Sequence, residues 1–207
     1  MEIYSYPQLD EQIQAAVLPN GLRIYCVPRA DSEKTFAMLA ADFGSIDCHF
    51  TIDGQTHDVT PGIAHFLEHK LFEEQDGNAL QKFAARGAHP NAFTSHIMTA
   101  YHFTCTDRFY EDLEILLRFV TTPYFTDENV AKEKGIIGQE IDMLEDTPGW
   151  SAYVGVLQAE AVFSGAMAFD FAEVFQNITK QEVAARVQAW AQPNRMAMAV
   201  VAPQTEG

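Results

Sequence analysis

The sequence predicts an α+β fold: one mixed, largely antiparallel sheet packed with helices, rather than a doubly wound parallel sheet. Three observations carry this. Near the start, Pro19-Asn20-Gly21 separates two β-prone runs, and Asn-Gly is a strong hairpin signal. In the middle, two more strands follow one another at about Ala92–Ser95 and Thr99–Thr106. Around them, segments with apolar residues at helical spacing alternate irregularly with the strands, without the regular β-α succession of a parallel sheet.

Taken in order, Ala15–Leu18 and Leu22–Val27 are the arms of the hairpin. A third strand covers about Thr35–Phe43, where Phe36, Met38, Leu39 and Phe43 supply bulk. Gly44 to Thr60 is rich in Asp, Gly and Ser and reads as a loop, with His49 and His57 as surface residues. Thr60-Pro61 opens a helix: Thr is a good N-cap, Pro suits the first helical position, and Ile63, Phe66 and Leu67 supply the apolar contacts. Asn78 suits the cap of a second helix, Ala79–Arg86, ended by Gly87. Arg108–Thr121 carries a Leu113, Leu116, Leu117, Val120 stripe and stops before Pro123. Thr126 caps a helix running to about Glu145, with Val130, Ile137, Ile141 and Leu144 inward. Further helices are expected over Ser151–Val162 and, from the capping box Thr179-Lys180-Gln181-Glu182, to about Trp190. Met196–Ala202 closes the chain as a strand. With no repeat or linker, residues 1–207 read as a single unit.

Composition narrows the function. Hydrophobic residues make up 47% of 207, enough for a sizeable core. Thirteen basic against 29 acidic groups give a net charge of −16. That argues against nucleic acid and against an anionic membrane, both of which need positive surface. Cys26, Cys48 and Cys105 are odd in number and none is in C-x-x-C spacing, so neither a disulfide scaffold nor a cysteine zinc site is expected. The N-terminus lacks the pattern of a signal peptide and no stretch approaches a membrane span, so a reducing cytoplasm is the expected compartment.

The chemistry centres on His65-Phe66-Leu67-Glu68-His69. Residues three and four apart share a helix face, so His65 and His69 point the same way, with Glu68 beside them. A zinc hydrolase needs neutral imidazoles for the metal, an open position for water, and a carboxylate to take the water's proton. The H-x-x-E-H order is the inverzincin signature. Two histidines at this spacing also occur as a hydrogen-bonded pair at a core edge, so a third ligand has to be found. Catalytic zinc usually has three protein ligands. Glu133 and Glu140, seven apart and nearly in line along one helix, are the candidates. Gly135 and Gly138 between them each cost a helix ~1 kcal/mol relative to Ala and would let another helix approach closely.

His65–His69, Asn91-Ala92-Phe93-Thr94 with Thr99-Ala100-Tyr101, and Glu133-Lys134-Gly135-Ile136-Ile137-Gly138-Gln139-Glu140 together resemble the pitrilysin/insulinase family of zinc metallopeptidases, most closely its bacterial insulinase-like members. The resemblance runs from the first hairpin to about Trp150. It implies a single catalytic lobe of that type, holding zinc through His65, His69 and Glu140. It makes Glu68 the general base and Glu133 an acidic neighbour that orients a histidine. It implies that Asn91, Ala92, Phe93 and Thr94 lie on a sheet edge beside the metal, where an extended peptide adds through backbone hydrogen bonds. His96 and His102 match no ligand position.

The expected activity is peptide-bond hydrolysis on peptides or small unfolded polypeptides. The family's second lobe has no counterpart here. It would come from another copy in a homodimer, from a separate partner chain, or from a longer parent protein. The alternative is a zinc-retaining peptide-binding or processing subunit that needs such a partner for activity.

Overall fold

The computed structural model describes residues 1–52, 54–150, 152–153 and 196–202. Three antiparallel strands come first: β1 (Glu2–Tyr6), β2 (Glu11–Val17) and β3 (Arg23–Pro28). The β2–β3 turn sits where expected. Leu18 N donates to Leu22 O at 2.8 Å across a three-residue loop, and Gly21 takes φ 89°, the left-handed position that such loops reserve for glycine. β1 was not expected; every one of its residues is exposed, so no buried alternation marks it.

After β4 (Thr35–Ala41), the expected loop contains a small hairpin, β5 (His49–Ile52) with β6 (Gln55–Asp58). Helix α1 spans Ile63–Leu71 and begins two residues later than the sequence suggested. Thr60 is not the N-cap. Its carbonyl instead accepts from Ile63 N at 3.3 Å, which places Pro61 in a turn, and Gly62 at φ 84° is the N-cap. A minimal hairpin of β7 (Glu73–Glu74) and β8 (Gly77–Asn78) follows. Asn78 then caps α2 (Ala79–Ala84) by accepting from Leu80 N at 2.8 Å. Next come β9 (His89–Thr94), β10 (Thr99–Cys105), α3 (Phe109–Thr121), α4 (Asp127–Glu145) and β11 (Met196–Ala202). Thr126 and Asn129 close a capping box on α4, Asn129 N to Thr126 Oγ1 at 3.0 Å and Thr126 N to Asn129 Oδ1 at 2.9 Å. Of the helices expected over 151–162 and up to 190, all but residues 152–153, which are helical, lie outside the described residues.

The large sheet has the order β1-β2-β3-β11-β4-β10-β9. β11 runs parallel to β3 and antiparallel to β4, and every other pairing is antiparallel, so the α+β expectation holds. β9 forms one edge of this sheet. Helices α1, α2 and α3 pack against β4, β9 and β10, and α4 packs on α1. The core lies beneath them. Leu39, Tyr101 and Phe103 from the sheet meet Phe66, Leu67, Leu71 and Phe72 from α1 and its end, with Phe119 from α3. Phe119 stacks on Phe72 at 5.0 Å and meets Tyr101 edge-on at 5.4 Å. Burying side chains of this size stabilises by about 1.5–3 kcal/mol each. The expected α3 stripe faces the core: Leu116 and Val120 are buried, Leu113 and Leu117 pack against the core partly buried, and Phe119 joins them as a buried residue. In α4, Val130 and Ile137 are buried and Ile141 is partly so.

Two glycine regions differ from each other. Between β4 and β5 the chain crosses the β9–β10 turn: Ser45 N donates to Ser95 O at 3.0 Å and Ile46 N to His96 O at 3.1 Å. Thr99 Oγ1 also donates to Phe43 O at 2.9 Å. A Cβ on Gly44 would lie 2.4 Å from the His96 carbonyl, so this crossing needs glycine. Gly135 and Gly138 in α4 have nothing within 4 Å of such a Cβ. Among the described residues no helix approaches them.

Candidate metal centre

Helix α1 has two functional faces. Ile63, Phe66 and Leu67 turn into the core, while His65, Glu68 and His69 turn toward α4 and the end of β9. The imidazoles meet edge to face, with ring centres 4.7 Å apart. The packing of α4 on α1 brings Glu140 to the same point. His65 Nε2 and His69 Nε2 are 3.1 Å apart; Glu140 Oε2 is 3.4 Å from His69 Nε2 and 3.8 Å from His65 Nε2. Tetrahedral zinc with bonds of 2.0–2.1 Å separates neighbouring ligand atoms by about 3.3 Å. This triangle has that size, and its two nitrogens and one carboxylate oxygen are a donor set zinc accepts. Among the described residues it is the one group of three such donors close enough for an ion.

Glu133, two turns before Glu140, is 5% exposed and its Oε1 lies 3.0 Å from His69 Nδ1. It therefore holds the ring nitrogen opposite the one in the triangle. On its other side Glu133 Oε2 is 3.8 Å from Lys70 Nζ, and that ammonium donates to Glu73 Oε2. Glu73 in turn takes Lys132 of α4 at 3.3 Å.

Glu68 stands beside the triangle and accepts a hydrogen bond on Oε2 from Thr94 Oγ1 at 2.9 Å. Burial raises the pKa of Glu68; the Thr94 bond and the neighbouring His69 pull the other way without cancelling it. Burial also pushes His65 below the usual imidazole value, helped by His69. For His69 burial again acts downward. The Glu133 hydrogen bond and the charges of Glu68, Glu133 and Glu140 outweigh it, so its pKa is raised. Carboxylates thus crowd a point where a cation is favoured.

Of the residues singled out on the edge strand, Thr94 comes nearest the triangle, through its bond to Glu68. Ala92 packs on the core. Asn91 is exposed, and its Oδ1 accepts from Ala92 N at 2.9 Å. Phe93 is 39% exposed on the opposite sheet face, its ring 6.4 Å from that of His102. The strand itself ends at Thr94 rather than Ser95, because the Ser95 carbonyl is taken by Ser45. The remaining histidines stand apart: His49 bonds Asp58, His57 stacks on Phe50, and His96 meets Ser45 Oγ at 3.2 Å.

Sequence reasoning missed the Thr94 hydroxyl's hold on Glu68, and it missed Lys70. The second was readable: Lys70 follows Ile63, Phe66 and Leu67 at helical spacing, so its position faces the core, where a lysine needs partners.

The sequence profile of the insulinases, peptidase family M16, matches residues 55–167. The uncharacterized zinc protease YmfH of Bacillus subtilis is 41% identical over 203 residues, covering 96% of this chain and 47% of its own length. A crystal structure described as an M16-like peptidase from Alicyclobacillus acidocaldarius superposes with a TM-score of 0.86 at 36% identity, over 98% of this chain and 48% of that one. A protease from Helicobacter pylori shares the fold, with a TM-score of 0.77 at 19% identity over 95% of this chain and 47% of that one. The chain therefore spans about half the length of these three relatives, and by profile, identity and superposition it belongs to the insulinase family, peptidase family M16.

Proposed function

We propose that this chain is the zinc-holding catalytic lobe of an endopeptidase acting on peptides or small unfolded polypeptides. The observation that carries the reading is the donor triangle of His65, His69 and Glu140 with Glu68 next to it. His65 and His69 would ligate through Nε2 and Glu140 through Oε2, with Glu133 fixing the His69 ring. When bound, zinc supplies Lewis acidity, polarising a carbonyl and making a water easier to deprotonate. Glu68 would take the proton of the attacking water and later pass it to the leaving amine. Thr94 occupies Oε2, which leaves Oε1 for that transfer. The raised pKa of Glu68 suits a group that must accept a proton and release it again. The substrate would lie extended along β9, at Asn91–Thr94, as an added strand.

Glu68→Gln tests the assignment. The variant is expected to keep one zinc per chain and lose about 10²–10⁴-fold in turnover. An active variant would overturn the role of Glu68.

A second reading is favoured by the length of the chain, half that of its relatives. In it the lobe binds zinc and peptide but needs a second lobe for turnover, because a single open face leaves water in competition with the substrate. That lobe would be another copy, a partner chain or further sequence of a parent protein. Light scattering with a kinetic assay at several concentrations decides. A strictly monomeric chain turning over at about 1 s⁻¹ or faster rejects this reading.

A further inference from the structure

Lys70 is fully buried, at 0% exposure, in a helix position otherwise given to Ile63, Phe66 and Leu67. A lysine there loses its water, and its partners must replace it. They come from two directions. Glu73, three residues on, accepts from Nζ, and Glu133 Oε2 reaches to within 3.8 Å from α4. Glu73 also holds Lys132 of α4 at 3.3 Å, so the ammonium stands where α1 and α4 are tied together. These two helices carry every proposed ligand. The other oxygen of Glu133 is 3.0 Å from His69 Nδ1. One carboxylate is therefore fixed at both ends, by a cation on one side and by an imidazole on the other.

We propose that Lys70 is a positioning residue of the metal centre: its buried ammonium, shared with Glu73, holds Glu133 against His69 Nδ1 and so fixes the ring that presents Nε2. This rests on the zinc site proposed above. Lys70 touches neither donor atom nor substrate; it acts through Glu133. Carboxylates behind ligating histidines set ring orientation and basicity, and losing one typically costs 10–100-fold in metal affinity or activity.

The test compares zinc affinity, by chelator competition, with the melting temperature of the metal-free chain, for wild type, Lys70→Met, Glu133→Gln and the double variant. Lys70→Met keeps the length and removes the charge. The expected result is zinc affinity about 10–100-fold weaker in each single variant. The double variant is expected to be no weaker than either single one, because the two residues act as one unit. Any change in the metal-free melting temperature should not track the loss of affinity. A Lys70→Met chain with wild-type zinc affinity overturns the proposal, as do losses that multiply in the double variant. If Lys70→Met does not fold, Glu133→Gln still decides, since unchanged zinc affinity there leaves Lys70 nothing to act through. A wild-type chain that binds no zinc at all overturns the zinc site itself and this proposal with it.

Discussion

Gly44→Ala is expected to destabilise the fold although it adds one methyl group. Ordinary contacts to a Cβ begin near 3.4 Å, and here the new carbon would be 2.4 Å from the His96 carbonyl carbon and oxygen and from Ile97 N. All three are backbone atoms, so no side chain can swing away. The overlap of about 1 Å has to be relieved by moving the crossing segment or the β9–β10 turn, which Ser45 and Ile46 hold by hydrogen bonds. Overpacking of this kind costs typically 1–3 kcal/mol, and rigid backbone on both sides puts this case toward about 3. For a chain of this length that is a fall of roughly 6–12 °C in melting temperature. Gly135→Ala and Gly138→Ala are the internal control. Both sites are helical, and among the described residues nothing lies within 4 Å of the added carbon, so each should stabilise by about 0.5–1 kcal/mol. Melting all three variants without metal separates the backbone effect from ligand binding. A Gly44→Ala chain as stable as wild type, or more so, would refute the close approach.

Two further outcomes follow from the site and the core. Glu140→Gln, measured by elemental analysis after dialysis, should lose most of its zinc; full retention would remove Glu140 from the ligand set. Cys105 is buried, and burial, with Asp112 and Asp107 nearby, pushes its thiol up to about 11. Only about one part in a thousand is thiolate at pH 8, against about a quarter for an ordinary cysteine. In the native chain it should therefore react with a thiol reagent far more slowly than after unfolding. Rapid labelling of Cys105 in the folded protein would contradict its burial.

What the sequence revealed was mostly local. Asn78 and Thr126 cap helices through bonds that reach two or three residues, so the signal and the structure share one short window. Met196–Ala202 is an unbroken apolar run of strand-forming length, and it is a strand. Weakly marked strands were lost. β1, β5 and β6 bury little, so no alternation distinguishes them from loop. In β4 both Phe36 and Leu39 are apolar although they face opposite sides, which hides the face that meets the helices. The metal triangle was legible as two thirds of a site. His65 and His69 are one helical turn apart, but Glu140 reaches them only because α4 packs on α1. No local spacing encodes that contact, and the choice between Glu133 and Glu140 came from family resemblance.

The place of β11 in the sheet has a consequence for biosynthesis. It lies between β3 and β4, which follow each other closely in the chain, yet Met196 comes about 155 positions after Ala41. At a translation rate of ~5–20 residues per second, the slot between β3 and β4 stays vacant for roughly 8–30 s after β4 has been made. During that time both flanking strands present unpaired backbone to solvent or to chaperones. The nascent chain cannot seal its sheet vectorially, from the first strand onward. β11 has to thread between two strands made long before it, so its pairing is a slow, long-range step, and a chain released before Met196 has a split sheet.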